Sequence, residues 1–261
     1  MGAGKNLKSA AVDSVVLLIL AAGFSTRLEP RTLNIPKQLL PVGKRVLIDF
    51  LFDSLAGVKK NFSKSILVTN GRFENDFCTW ADNSSLGIKV ISDKVMSKQE
   101  KLGAVGDFVF ACEKENIKDD ILVCVSDYVL CRYDFNVLIH LANKHKSSMT
   151  IAKEESDIEI LKRGSCLELN DEMRVIKFME KPSQPFSKLY GVPFYFIKEK
   201  DYKIIKGIPA SQRDNSGQMI AELVQKSQVF ADVYNGPIIH ITTERDYQNL
   251  TLKIDKFFSK S

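Results

Sequence analysis

The 261 residues are 44% hydrophobic and 26% charged, a balance that supports a sizeable core and excludes wholesale disorder. Lys and Arg exceed Asp and Glu by 37 to 32, for a formal charge of +5, but the basic residues are scattered, so no nucleic-acid face is expected. The five cysteines are odd in number and contain no C-x-x-C pair, which reads as reduced thiols in a cytoplasmic protein.

The most apolar run, Val15 to Ala22, is too short to cross a bilayer and reads instead as a buried strand within Ser14–Ala21. Ser65–Thr69, Ile88–Ile91 and Ile121–Val125 are Val-, Ile- and Leu-rich runs of the same kind. Between them, Val46–Leu55, Phe73–Asp82 and Gly103–Glu115 carry apolar residues at helical spacing; Val105, Phe108, Val109 and Cys112 define one face of the last. Strand–helix alternation predicts an α/β fold, a Rossmann-like, mostly parallel mixed sheet flanked by helices. From Ser148 the pattern changes. Ser148–Ala152, Gly164–Leu169, Val175–Met179 and Leu189–Ile197 read as strands with little helix between them, and Ser216–Gln225 and Thr243–Phe258 read as helices. One domain over 1–261 is expected, with a nucleotide-type half at about 14–147 and a substrate-side half, including a small β lobe, at about 148–261.

The densest chemistry follows the first strand, from Ala21 and Ala22 through Pro41. Ligands of open α/β sheets bind at the carboxyl ends of strands. Gly23 lets the backbone approach a ligand, and free N–H groups in such a turn cradle phosphate. Phe24 sits within that turn, Ser25 and Thr26 add hydroxyls, Arg27 offers a planar fork, and Lys37 offers a compact charge. Pro30, Pro36 and Pro41 stiffen the return path.

The register from Gly23 to Pro41 resembles the signature of the sugar-1-phosphate nucleotidyltransferases, G-x-G-T-R-L-x-P-x-T-x-x-x-P-K-x-L-x-P, with Ser25 in place of the second Gly. The resemblance implies that Gly23 to Arg27 hold a nucleoside triphosphate and that Lys37 lies at the reacting phosphates. It extends to Asp127, which ends a buried strand where the family has a magnesium-binding Asp after a Gly; here Ser126 precedes it. It extends also to Phe178-Met-Glu-Lys-Pro182, similar to F-x-E-K-P, whose Glu180 and Lys181 would hold sugar hydroxyls and sugar phosphate. Gly164, Tyr190 and Gly191 resemble positions where backbone approaches the sugar. Leu102 and Gly103 resemble the base-recognising segment, and a close approach of backbone to ligand would explain Gly103 and Gly106 on a helix's first turns.

The resemblance breaks near the end. His240 stands where the family often has a second metal-ligating Asp, and a neutral imidazole suits magnesium poorly. His240 is therefore a second metal candidate beside Asp127, or the mark of a non-catalytic regulatory homologue. The implied reaction is in-line attack of a sugar-1-phosphate on the α-phosphorus of a nucleoside triphosphate, with Arg27, Lys37, Asp127 and Mg2+ neutralising charge. A phosphocholine-type cytidylyltransferase is a rival, but its ligand favours an aromatic box and Trp80 is the only Trp. No membrane partner is expected. A homo-oligomer is left open, as are the base and the sugar.

Overall fold

The computed structural model describes residues 14–250. Its first half runs β1 (Val15–Leu20), a β2–β3 hairpin (Pro41–Val42, Arg45–Val46), α1 (Leu47–Leu55), β4 (Phe62–Thr69), α2 (Glu74–Asn83), β5 (Ile88–Ser92), α3 (Ala104–Lys114), β6 (Asp120–Val125), β7 (Tyr128–Leu130) and α4 (Phe135–His145). The second half adds β8 (Ser148–Glu154), α5 (Ile158–Arg163), β9 (Ser165–Leu169), β10 (Val175–Glu180), β11 (Leu189–Ile197), α6 (Tyr202–Lys206), α7 (Gly217–Lys226), β12 (Val229–Val233) and β13 (Ile238–His240). Helix resumes at 244–250; the rest of the helix expected over Thr243–Phe258 lies outside the described residues.

Nine strands form one mixed sheet. β5, β4, β1 and β6 are parallel, in that order, as βαβ crossovers require. β11 then pairs antiparallel to β6 and carries the sheet into the second half. There it meets β8, which pairs parallel with β12, and the β9–β10 hairpin that forms the small lobe. Parallel pairing thus runs through the first half and recurs at β8–β12, while around β11 the pairing is antiparallel.

β1 explains why its sequence does not alternate. Val15, Leu17 and Ile19 face one apolar cluster while Val16, Leu18 and Leu20 face another, so both faces are buried. Leu47, Ile48 and Leu51 of α1 cover the first face together with Leu138, Ile139 and Ala142 of α4. Val105 and Phe108 of α3, with Met219, Ile220 and Leu223 of α7, cover the second. α4 is a helix the apolar-run reading does not include. Asp134 caps it by accepting from the Asn136 N–H at 3.0 Å, and Phe135, Leu138, Ile139 and Ala142 are its buried stripe. β12, also absent from that reading, is a short parallel strand whose pairing depends on β8.

One polar knot lies within this core. Asp201, almost wholly buried, accepts from Ser148 Oγ at 2.6 Å and Ser227 Oγ at 3.0 Å, joining the start of β8 to the end of α7. Removing the acceptor strands the buried Ser148 hydroxyl. Asp201→Ala is therefore expected to lower unfolding stability by about 2 kcal/mol, and Asp201→Asn by less, measured by urea denaturation.

Candidate active site

A cleft of about 380 Å³ opens at the carboxyl ends of β1 and β6. It is lined by the loop after β1, by Lys37 and Gln38, by the start of α3 and by Ser126 and Asp127. The loop is fixed from beneath. Thr32, buried, donates to the Ser25 carbonyl at 3.0 Å, and buried Asn70 donates to the Ala22 carbonyl at 3.0 Å. A Cβ at Gly23 would meet nothing within 4 Å, so the turn is open on its ligand side. Ser25, where the family pattern has Gly, lies in the left-handed region at φ 53, which accounts for the glycine preference there.

Lys37 is buried, and its ammonium donates to Asp127 Oδ2 at 2.7 Å and to the Ile241 carbonyl at 2.9 Å. Burial opposes ionisation of Asp127, but the Lys37 charge and the His240 contact outweigh it and hold the carboxyl well below the usual carboxylate range. Ser126, where the family pattern has Gly, is a brace. Its hydroxyl donates to the Leu20 carbonyl at 2.7 Å and accepts from Gln38 Nε2 at 2.8 Å, tying β1, β6 and the signature segment together.

His240 does lie beside Asp127. Pairing of β13 with β7 sets it opposite Tyr128, its ring stacks on Tyr128 at 3.8 Å, and Nε2 is 3.7 Å from Asp127 Oδ2. Nε2 is also 3.0 Å from Thr242 Oγ1.

Arg27 is exposed at the rim of the cleft, and Phe24, Thr26, Leu102 and Gly103 line it. Lys98 and Lys101, which the motif does not contain, bring two further cations; Lys98 donates to Thr26 Oγ1 at 3.3 Å. Gly103 is required by the packing of the fold itself. It adopts φ +78, and a Cβ there would collide with the Arg213 carbonyl, while the Ala104 and Val105 N–H groups bond the Asp214 and Arg213 carbonyls. At Gly106, a Cβ would meet Leu102 at 2.7 Å. Protein atoms occupy the space that a Cβ at these glycines would need.

The second-half residues gather in an adjoining cluster outside this cleft. Glu180 accepts from Ser165 Oγ at 2.6 Å, and its burial raises its pKa against the pull of that bond and of Lys181. Lys181, in the left-handed region at φ 50, contacts Asn215, next to the cleft-lining Asp214. Tyr190 and Tyr128 share a 2.6 Å hydroxyl contact, which joins this cluster to the turn that carries Asp127. Gly164 and Gly191 make room for the Tyr190 and Phe178 rings, and Gly217, at the start of α7, makes room for Glu180. Again protein side chains fill the space. Gly217, Gln38, Lys98 and Thr242 were not marked as site residues by sequence reasoning; of these only Gln38, beside Lys37 in the signature, carries a local signal.

The far end of the chain holds the loop from above. Arg31 makes a two-pronged pair with Glu244, at 2.7 and 2.9 Å, and its guanidinium lies 4.9 Å from the Tyr247 ring centre. The Tyr247 hydroxyl donates to the Pro41 carbonyl.

With this geometry, the chain belongs to the nucleotidyl transferase family, whose profile matches residues 16–236. It is 31% identical over 211 residues to the mannose-1-phosphate guanyltransferase of Debaryomyces hansenii, covering 78% of this chain and 56% of that protein. Against the Candida albicans mannose-1-phosphate guanyltransferase it is 25% identical over 232 residues, covering 88% and 62%. It thus spans somewhat under two thirds of the length of these relatives. A solved UDP-glucose pyrophosphorylase in complex with UDP-glucose has the same fold, with a TM-score of 0.77 at 17% identity over 93% of this chain and 99% of that one. Among the described residues no helix is long and apolar enough to cross a membrane.

The strain at Ser25 can be tested directly. Ser25→Gly is expected to keep thermal stability within about 1 kcal/mol, because relief of the left-handed strain offsets the added freedom of the unfolded chain. Ser25→Val is expected to lose about 2 kcal/mol, since a branched side chain tolerates that conformation poorly. Equal tolerance of both would show that the loop does not impose this backbone.

Proposed function

We propose that this chain transfers a nucleotidyl group from a nucleoside triphosphate to a sugar-1-phosphate and releases pyrophosphate. The observation that carries the reading is one cleft in which an open, braced loop at the end of β1 meets Arg27, Lys37 and Asp127. The relatives' names agree with this class and differ from the fold neighbour's in base and sugar. The Gly23–Thr26 backbone would cradle the triphosphate, and Arg27 would stabilise the departing pyrophosphate. Lys37 would face the reacting phosphates, while Glu180 and Lys181, with Tyr190 and the Gly164 and Gly191 backbone behind them, would hold the incoming sugar phosphate. A phosphate oxygen is already ionised, so no general base is needed, and positioning plus charge neutralisation supply the rate.

Magnesium fits the donors at Asp127. Oδ1 is buried and accepts no hydrogen bond, and magnesium favours one or two carboxylates with phosphates completing its shell. No group of three or more His, Cys, Asp or Glu among the described residues would cage a metal by itself. When bound, the ion supplies charge neutralisation at the triphosphate. The free state of all five cysteines fits a cytoplasmic setting.

Pyrophosphate release across nucleoside triphosphates, sugar-1-phosphates and phosphocholine tests the reading. Activity is expected only with a sugar-1-phosphate and a divalent metal, and Arg27→Ala is expected to lower kcat/KM by roughly a hundredfold. Release with phosphocholine alone, or full activity in excess chelator, would refute it. Arg27 is the cleaner probe, because Lys37→Ala leaves the Asp127 charge buried without its partner and costs about 3 kcal/mol of stability.

The contact of His240 with Asp127 favours one further reading, a regulatory homologue that binds nucleotide sugars without turnover. His240→Asp separates the two. In an active enzyme the added oxygen ligand is expected to lower the magnesium concentration for half-maximal rate. A silent wild-type protein that gains pyrophosphate release on His240→Asp would establish the regulatory reading.

A further inference from the structure

Lys98 is a cation of the cleft that lies outside the signature segment and that no carboxylate neutralises. It sits on a short turn, Lys98–Glu100, between β5 and α3, and lines the cleft together with the loop after β1. The segment from Asp93 to Lys101 carries Lys94, Lys98 and Lys101. Lys94 pairs with Glu74 at 2.6 Å and Lys101 pairs with Asp214, so both of those charges are matched. The carboxylates of the segment are engaged locally: Asp93 accepts from the Val95 N–H at 2.8 Å, and Glu100 accepts from the Ser97 hydroxyl at 2.8 Å. Among the described residues no carboxylate pairs with Lys98. Its ammonium reaches instead across 72 positions of sequence to the Thr26 hydroxyl, at 3.3 Å. A long, exposed bond from an ammonium to a neutral hydroxyl adds little to stability, so the needs of the fold do not explain it.

The charges around the loop narrow the ligand. Lys37 is matched by Asp127 at 2.7 Å and Arg31 by Glu244 at 2.7 Å. Asp93 and Asp107 line the same cleft but bond neither Arg27 nor Lys98. Among the described residues, the cations at this loop without a carboxylate partner are therefore Arg27 and Lys98. One follows Thr26 in the chain and the other bonds its hydroxyl. Two uncompensated cations gathered at one loop favour an anion of more than one charge. An ammonium has more donors than the Thr26 contact uses, so Lys98 can keep that contact and still bond phosphate oxygens. Depth fixes which phosphates these are. Lys37 is buried, whereas Arg27 and Lys98 are exposed at the rim, so a triphosphate whose reacting phosphorus faces Lys37 presents its terminal phosphates to the rim.

We propose that Lys98 grips the terminal phosphates of the nucleoside triphosphate together with Arg27, and that the same ammonium holds the pyrophosphate once it has separated. The inference rests on the nucleotidyl-transfer reading of this cleft and deepens it by naming a second cation for the departing group.

Titration calorimetry with magnesium pyrophosphate tests it without turnover and for any base. The wild-type protein is expected to bind this probe, and Lys98→Ala to bind it about tenfold more weakly, the loss of one charge-assisted contact. Lys98→Arg keeps the charge and is expected to stay within about threefold of the wild type. Circular dichroism is expected to show the same fold in all three proteins, since Lys98 is exposed. Unchanged affinity in Lys98→Ala, or a wild-type protein that does not bind magnesium pyrophosphate, would overturn the assignment. So would a loss in Lys98→Arg as large as that in Lys98→Ala, because the cation would then not be what the ligand meets. Lys98-dependent binding in a protein that releases no pyrophosphate from any nucleoside triphosphate and sugar-1-phosphate would sink the transfer reading and leave the grip standing. Turnover by a protein whose pyrophosphate affinity ignores Lys98→Ala would do the reverse.

Discussion

The ion pair between Lys37 and Asp127 is the constraint on which the rest of this cleft depends. It joins residues 90 apart in sequence at 2.7 Å, and the same ammonium reaches the carbonyl of Ile241, 204 residues away. One buried cation thus fixes the loop after β1, the end of β6 and the chain beyond β13 against each other. A buried pair is stable only when its geometry is good and its remaining groups are satisfied. Here the second lysine contact meets part of that demand. Oδ1 of Asp127 is the part left without a partner.

Around this pair the protein substitutes braces for the glycines of the pattern it resembles. Ser126 uses its hydroxyl to tie Leu20 to Gln38, and Ser25 accepts a strained backbone whose carbonyl Thr32 then holds. Both replacements exchange backbone freedom for a fixed shape, which suits the positioning of two polyanions that the proposed reaction asks of this site. The adjoining cluster is coupled to the cleft at two points: the Tyr128–Tyr190 contact, and the step from Asp214 to Asn215.

Much of this was legible in the sequence. The doubly buried β1 shows as an unbroken apolar run, and the proline-stiffened segment from Gly23 to Lys37 declares its chemistry because its residues act within one continuous loop. The glycines are half legible: Gly103, Gly164 and Gly191 are read as close approaches of backbone, and the fold adds that the Arg213 backbone and the Tyr190 and Phe178 rings lie where their side chains would be. A glycine records that something comes close, and only the fold tells what. Asp107 of α3 is illegible for a related reason: an acidic residue on a helix's first turn is ordinary, and only the fold shows it buried with Oδ1 unpartnered. α4 carried a readable apolar stripe at Phe135, Leu138, Ile139 and Ala142, but its short neighbour β12 is defined by pairing with β8 and a bridge to Arg174.

The clasp that Glu244 and Tyr247 place on Arg31 and Pro41 bears on how this protein comes into being. A chain leaves the ribosome from its amino end, and folding proceeds as segments emerge. Of the described residues, the loop after β1 is among the first synthesised, while the groups that clamp it, together with the Ile241 carbonyl beneath Lys37, are among the last to appear. A nascent chain can therefore assemble the parallel strands and their helices well before it owns a finished cleft. Competence to grip the polyphosphate proposed for this cleft therefore arrives only after the described strands and helices have been made.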